Sequence, residues 1–273
     1  MASDRSTRFP PSSERLPAVD GLRGALALVV VVNHFAQKLG SSALFPAADF
    51  AVCVFFLLSG YVLTRGWDGR YGVFLARRFV RLWPVYALCL AAGYAIERTS
   101  PTWSQFFWFP LLNANSKPAI DPPIWSLCIE AWAMPFMPII VWAGRGRLWR
   151  PLAGVAIILA AGEINVKFLF GVFFLAGAFL SRFPFRNRLL QSAIPQWLGR
   201  VSYSLYLSHW LALSLGEYMG GRLGVMIATP IAFLVAWAIW RWIEAPSIRL
   251  SRQAGALFAA PARAAAGAIA PAE

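Results

Sequence analysis

DGLRGALALVVVVNHF, residues 20–35, begins with a carboxylate and a guanidinium and then runs apolar almost to its end. Arg23 sits at the entrance of this run and His34 lies deep inside it. Lipid penalises both side chains, so their presence in a membrane helix marks an interior cavity, a pathway or a site. They are 11 residues apart. At about 100° per residue that is three turns plus about 20°, which puts both on one helix face, about 16 Å apart along the axis. Arg23 alone reads as a snorkelling side chain or a ligand for an anion. His34 alone reads as an interhelical hydrogen bond or a catalytic group.

The rest of the chain gives this segment its setting. Of 273 residues, 59% are hydrophobic and 14% charged, which excludes an ordinary soluble domain. Long apolar stretches with 13 Trp and 21 Phe predict an all-α, polytopic transmembrane helical bundle. About eight spans are expected, at 20–39, 49–66, 73–96, 124–143, 149–162, 167–181, 199–217 and 223–243. The fifth and sixth fall short of the usual length; they tilt little, or one is re-entrant. Residues 1–16 read as a flexible N-terminal tail, 17–246 as the membrane domain and 247–273 as an Ala/Pro-rich C-terminal tail. No small-residue cleavage site follows the first apolar segment, so it reads as an uncleaved span. The loop 97–123 carries TWSQFFWFPLL, an aromatic cluster suited to an interfacial or re-entrant stretch.

The formal charge is +13, from 22 Arg, 3 Lys and 12 acidic residues. With the N-terminus in the cytoplasm, eighteen basic residues fall in inside segments and five in outside ones. This positive-inside bias puts both termini in the cytoplasm. The arginines are spread between apolar segments rather than gathered on a soluble face, so the partner of this charge is the lipid bilayer and nucleic acid is excluded. Cys53, Cys89 and Cys128 fall in apolar segments without a C-x-x-C and read as buried free thiols. Two isolated histidines without carboxylates or cysteines at ligand spacing predict no metal site, and no bound cofactor is expected.

Four more segments carry polar groups into apolar surroundings. In FFLLSG, residues 55–60, Ser59 and Gly60 allow close helix approach. In RRFVRLWP, residues 77–84, Arg78 and Arg81 share a helix face, as positive-inside charge or as a phosphate clamp. In WSLCIE, residues 125–130, Glu130 is a carboxylate one to two turns into a membrane helix, paired or catalytic. In YSLYLSHW, residues 203–210, His209 is the other histidine and reads as structural before catalytic.

In that order, these motifs together with Arg23-x10-His34 resemble the acyltransferase 3 family of integral membrane O-acyltransferases, over about residues 16–246. The resemblance implies transfer of an acyl group, often acetyl, from cytoplasmic acyl-CoA to a hydroxyl of a sugar, polysaccharide or lipid-linked glycan. The family pattern carries onto His34 as an essential residue, onto Arg23, Ser59, Gly60, Arg78 and Arg81 on the donor side, and onto Glu130. His34 then serves as general base or as an acyl-histidine, and Glu130 orients it in preference to Asp20, which lies about 20 Å away along the helix. His209 is a secondary candidate beside Asp20. Family members have about ten spans in a longer chain, some with a fused extracytoplasmic hydrolase-like domain; the eight read here depart from that on the acceptor side. Ala- and Arg-rich composition points to a bacterial inner membrane. A transporter of a glycan or small solute and an inactive membrane scaffold are the rival readings.

Overall fold

The computed structural model describes residues 16–41, 45–97, 123–164 and 166–257. The expected N-terminal tail, the aromatic cluster of the outer loop and the last Ala/Pro-rich residues lie outside them. Among the described residues the structure is helical, without strands. Helix α1 is Pro17–Lys38, α2 Phe45–Arg65 and α3 Tyr71–Glu97. Helix α4, Ile124–Ala133, continues through a tight turn at Met134–Phe136 into α5, Met137–Arg145. Then come α6 Trp149–Ile164, a tight turn Val166–Phe170, α7 Gly171–Leu180 and α8 Ala193–Ile239. A wide turn, Trp240–Glu244, leads into α9, Ala245–Leu257. The stretch 247–257, placed in the C-terminal tail on composition, is thus helical and packs on α3.

Among the described residues five stretches are long and apolar enough to cross a membrane: Pro17–Lys38, Pro46–Arg65, Tyr71–Ile96, Ile124–Arg145 and Ala193–Gln253. The last has 61 residues. Straight, a helix of that size would run about 90 Å, three times the hydrocarbon thickness. It folds instead at Gly220–Gly221, where Gly221 has φ +55°, a left-handed value that favours glycine. The arms then run back along each other: a Cβ on Gly216 would lie 2.6 Å from the Gly224 carbonyl oxygen. They coincide with the expected segments 199–217 and 223–243. The expected segments 149–162 and 167–181 correspond to α6, of 16 residues, and to the apolar stretch Phe168–Leu180, both shorter than the five.

The bundle is organised around α1, which lies between α2 and the first arm of α8. Against α8 the contact is backbone to backbone. A Cβ on Gly24 would come 2.5 Å from the Gly199 nitrogen, and one on Gly199 would come 2.2 Å from the Asp20 carbonyl oxygen. The two helices are parallel: Gly24 meets Gly199 and, one offset of 175 residues preserved, His34 meets His209. At one end Gln196 donates to the Pro17 carbonyl at 2.6 Å, and at the other Lys38 pairs with Glu217 at 2.6 Å. On the opposite side Val19, Leu26 and Val30 pack against Ala51, Leu58 and Tyr61 of α2. Helix α2 in turn meets α7 antiparallel, with Gly60 on the Phe174 carbonyl and Gly177 on the Leu57 carbonyl. A second core joins α3, α4 and α8 through Tyr86, Leu90, Ile124, Cys128, Leu207 and Leu211. Cys89 and Cys128 are buried and Cys53 is half-buried. The outer surface shows Phe50, Phe79, Ile139, Leu152, Ile157 and Leu234 to the surroundings, as a lipid-facing surface requires.

Arginines at the Arg65 end of α2 tie connecting segments together. Arg65 donates to the Ser181 carbonyl at 3.1 Å, Arg182 to the Gly144 carbonyl at 2.9 Å and Arg145 to the Thr64 carbonyl. In the short α2–α3 connection, burial alone would raise the Asp68 carboxyl. Hydrogen bonds from Arg70 and the charges of Arg70 and Arg77 outweigh it and hold Asp68 below the usual carboxylate range.

Without a hydrophobic drive between helices in lipid, close approach at small residues supplies the packing. Gly199→Val is therefore expected to push α1 from α8 and lower the thermal midpoint of the purified protein, at a cost of about 1–3 kcal/mol. Gly72→Ala, where an added Cβ meets nothing within 4 Å, is expected to leave it unchanged. Equal midpoints for the two variants would show that the α1–α8 contact does not set stability.

Candidate functional site

Helix α1 carries its two polar landmarks into two separate layers of the bundle. The layer near its start collects charge. Arg23 is 3.8 Å from Asp20 on its own helix and close enough to Arg78, Glu130 and Glu244 for their charges to act on it. From α3 come Arg78, which forms an ion pair with Glu130, and Arg81, which senses Arg23, Arg78, Glu244 and Glu130. Ser59 of α2 donates to the same Glu130 oxygen at 3.1 Å. Glu244 is buried at 3% exposure and accepts a hydrogen bond of 2.6 Å from Ser204. The wide turn Trp240–Glu244 delivers that carboxylate; such turns recur at functional sites. Beside it Tyr203 donates to the Leu82 carbonyl at 2.8 Å. Three arginines face three carboxylates, those of Asp20, Glu130 and Glu244, so the layer is formally balanced.

The layer near the end of α1 is built on imidazoles. His34 Nδ1 lies 2.8 Å from His209 Nε2, with the two rings 6° from coplanar. His209 is fully buried, and its Nδ1 is 2.9 Å from the Leu205 carbonyl one turn back. Trp210 meets His34 edge to face, with ring centroids 5.1 Å apart, and Lys38 stands 4.5 Å from the centre of the Trp210 ring. Gln37 donates to buried Asn33 at 2.7 Å. Asp49, exposed near the start of α2, is close enough for its charge to act on His34.

The structure thus brings Arg23, Ser59, Arg78, Arg81 and Glu130 into one layer. Gly60 is occupied by the α2–α7 contact. Glu130 is held by Ser59 and Arg78, and Asp20 by Arg23. The side chain hydrogen-bonded to His34 is His209. Sequence reading passed over Glu244, Ser204 and Trp210. Glu244 stands at the end of an apolar run, where a carboxylate looks like a span boundary. Only the antiparallel arms of α8 show that it turns inward.

The acyltransferase 3 family model, described as an acyltransferase domain, matches residues 16–193. That is well over half of the chain, and the chain belongs to this family. It is 41% identical over 100 residues to Protein 2 in picA locus of Rhizobium radiobacter, covering 33% of this chain and 50% of that protein. It is 33% identical over 179 residues to Acyltransferase MdmB of Streptomyces mycarofaciens, covering 54% of this chain and 46% of that protein. The chain thus spans about half the length of the curated relatives it matches. No solved structure matches it.

Removing one partner of a buried ion pair leaves an uncompensated charge and costs about 3–5 kcal/mol, whereas replacing both with apolar residues is far milder. Glu130→Leu is expected to lower the thermal midpoint more than the Arg78→Leu/Glu130→Leu double variant does. A double variant as damaged as the sum of the singles would show that the two side chains act independently.

Proposed function

We propose that this member of the acyltransferase 3 family transfers an acyl group, acetyl in the first instance, from cytoplasmic acyl-CoA to a hydroxyl of a sugar, polysaccharide or lipid-linked glycan. Its setting is a bacterial inner membrane, crossed about eight times with both termini cytoplasmic. The observation that carries the reading is the pairing of two layers by one helix. Arg23 and His34 share a face of α1, and Arg78 and Arg81 join the first while the second stands in an imidazole layer.

The chemistry divides between the layers. The anionic phosphates of CoA suit the arginines of this layer, since guanidiniums form charge-assisted, often bidentate hydrogen bonds to phosphate. Glu130, held by Ser59, keeps Arg78 in place. The thioester arm then runs along α1 toward His34. A hydroxyl is a poor nucleophile at neutral pH, and a positioned histidine is the usual base. His34 takes the hydroxyl proton as the oxygen–carbon bond to the acyl group forms. The carbon–sulfur bond breaks, and the proton passes to the leaving CoA thiolate. The donor is a substrate, and the scheme asks for neither a metal nor a bound cofactor.

Purified wild-type protein is expected to bind acetyl-CoA saturably. Arg78→Ala/Arg81→Ala is expected to weaken binding about 10²-fold or more, from about 1.5–3 kcal/mol per lost charged hydrogen bond. His34→Ala is expected to keep that binding and to lose turnover by about 10²–10⁴-fold, the usual contribution of a positioned base. Retained turnover in His34→Ala would refute the base. Absence of binding by wild type, with longer acyl-CoAs inert as well, would refute the donor and bring the transporter reading forward.

A further inference from the structure

Residues C-terminal to the family match supply the ring that holds His34. His209 touches it from the first arm of α8, and its two hydrogen bonds leave one consistent arrangement of protons. The Leu205 carbonyl can only accept, so His209 Nδ1, 2.9 Å away, carries a hydrogen and donates. In a neutral ring the other nitrogen, Nε2, then bears a lone pair. That lone pair faces His34 Nδ1 at 2.8 Å. His34 must therefore donate: its Nδ1 carries the hydrogen and its Nε2 is bare. The opposite arrangement of His34 would set two lone pairs against each other. The rings lie within 6° of one plane, which puts the N–H bond and the accepting lone pair in line. Trp210 packs edge-on against the His34 ring and limits its rotation.

From this geometry we infer that His209 is a positioning residue that fixes His34 in the Nδ1–H tautomer, with Nε2 bare and ready to accept a proton. The inference rests on His34 acting as the base only for its consequence in turnover; the proton arrangement stands on the two hydrogen bonds alone. A histidine side chain left to itself in water favours the Nε2–H form, which cannot take a proton at Nε2. His209 reverses that preference. As His34 gains the hydroxyl proton it becomes an imidazolium, and its Nδ1–H bond to His209 becomes charge-assisted and stronger. His209 thus does for His34 what a carboxylate does in a Ser-His-Asp triad, with a carbonyl-anchored neutral ring in place of a negative charge. The sequence holds only these two histidines, which makes the arrangement directly readable.

The test is ¹⁵N NMR of the full chain, labelled at histidine, in lipid nanodiscs at a pH above the imidazolium range. Four ring nitrogens are observed, and carbon connectivity separates Nδ1 from Nε2. The expected spectrum has both Nδ1 atoms protonated and both Nε2 atoms bare. In His209→Gln, whose amide oxygen can accept in place of the imidazole nitrogen, His34 keeps its Nδ1 hydrogen; in His209→Leu it shifts to the Nε2–H form. Acetyl-CoA turnover in membrane vesicles, read as free CoA, is expected to drop about 10²-fold in kcat for His209→Leu, the scale of a misplaced catalytic group, with KM for acetyl-CoA unchanged. His209→Gln is expected to recover part of that loss. A protonated Nε2 on either ring in wild type overturns the inference even where His34 proves essential. The expected tautomers together with full turnover in His34→Ala would leave the inference standing and refute the base.

Discussion

The direct contact between the backbones of α1 and α8 at Gly24 and Gly199 is the constraint from which the rest of the structure follows. In lipid, two helices are not driven together by hydrophobicity, since the surrounding chains are as apolar as leucine. They associate where small residues let their surfaces fit. Here the fit is so close that a Cβ on Gly199 would lie 2.2 Å from the Asp20 carbonyl oxygen. The contact fixes a parallel register, and ten residues further on that register sets His34 against His209. A slip of one residue would shift the ring by about 1.5 Å and rotate it by about 100°. A hydrogen bond of 2.8 Å between two rings in one plane survives neither. The glycines of DGLRG and of the Leu198–Gly199 contact thus determine imidazole geometry about 15 Å away along the helix axis.

The same register brings Arg23 to the level where α3, α4 and the returning arm of α8 present their charged side chains. Burying ions is costly, and a cluster of three arginines would expel one another without carboxylates among them. Glu130 and Glu244 supply two, each held by a serine from another helix: Ser59 from α2 and Ser204 from the first arm of α8. Asp20, beside Arg23 on α1, supplies the third and makes the arrangement formally neutral.

Much of this was legible in the chain. Apolar length and the arginine distribution give a helical membrane bundle, and the helical period alone puts Arg23 and His34 on one face. The ionisable residues at Arg78, Arg81 and Glu130 stood out because hydrocarbon tolerates them only for a reason. What was hidden depends on contacts between distant segments. His209 sits 175 residues from His34, and nothing local reports which of two helices will run parallel. Glu130 was the natural partner for a buried histidine on charge grounds, yet Arg78 and Ser59 hold it. Gly60, in a family motif, is consumed by the Phe174 backbone. Its neighbour Ser59 reaches the charged layer because adjacent helical residues point about 100° apart.

The family match ends at residue 193, where α8 begins. Up to that point the chain contains six of the polar residues that the motifs single out: Arg23, His34, Ser59, Arg78, Arg81 and Glu130. Each layer nevertheless lacks something until the α8 hairpin folds back. The charged layer takes Glu244 and Ser204 from it, and the imidazole layer takes His209 and Trp210. Ser204, His209 and Trp210 lie on the first arm and Glu244 follows the second, so the alignment of the arms by Gly216 against Gly224 is what brings Glu244 to Ser204. The turn at Gly220–Gly221 is therefore as much a condition of the site as the arginines are. A hairpin that slipped along itself would move Glu244 relative to Ser204 while leaving His209 on its helix, and would unbalance the charge beneath an intact imidazole pair. Small residues at helix contacts, rather than the reactive groups themselves, decide whether the reactive groups meet.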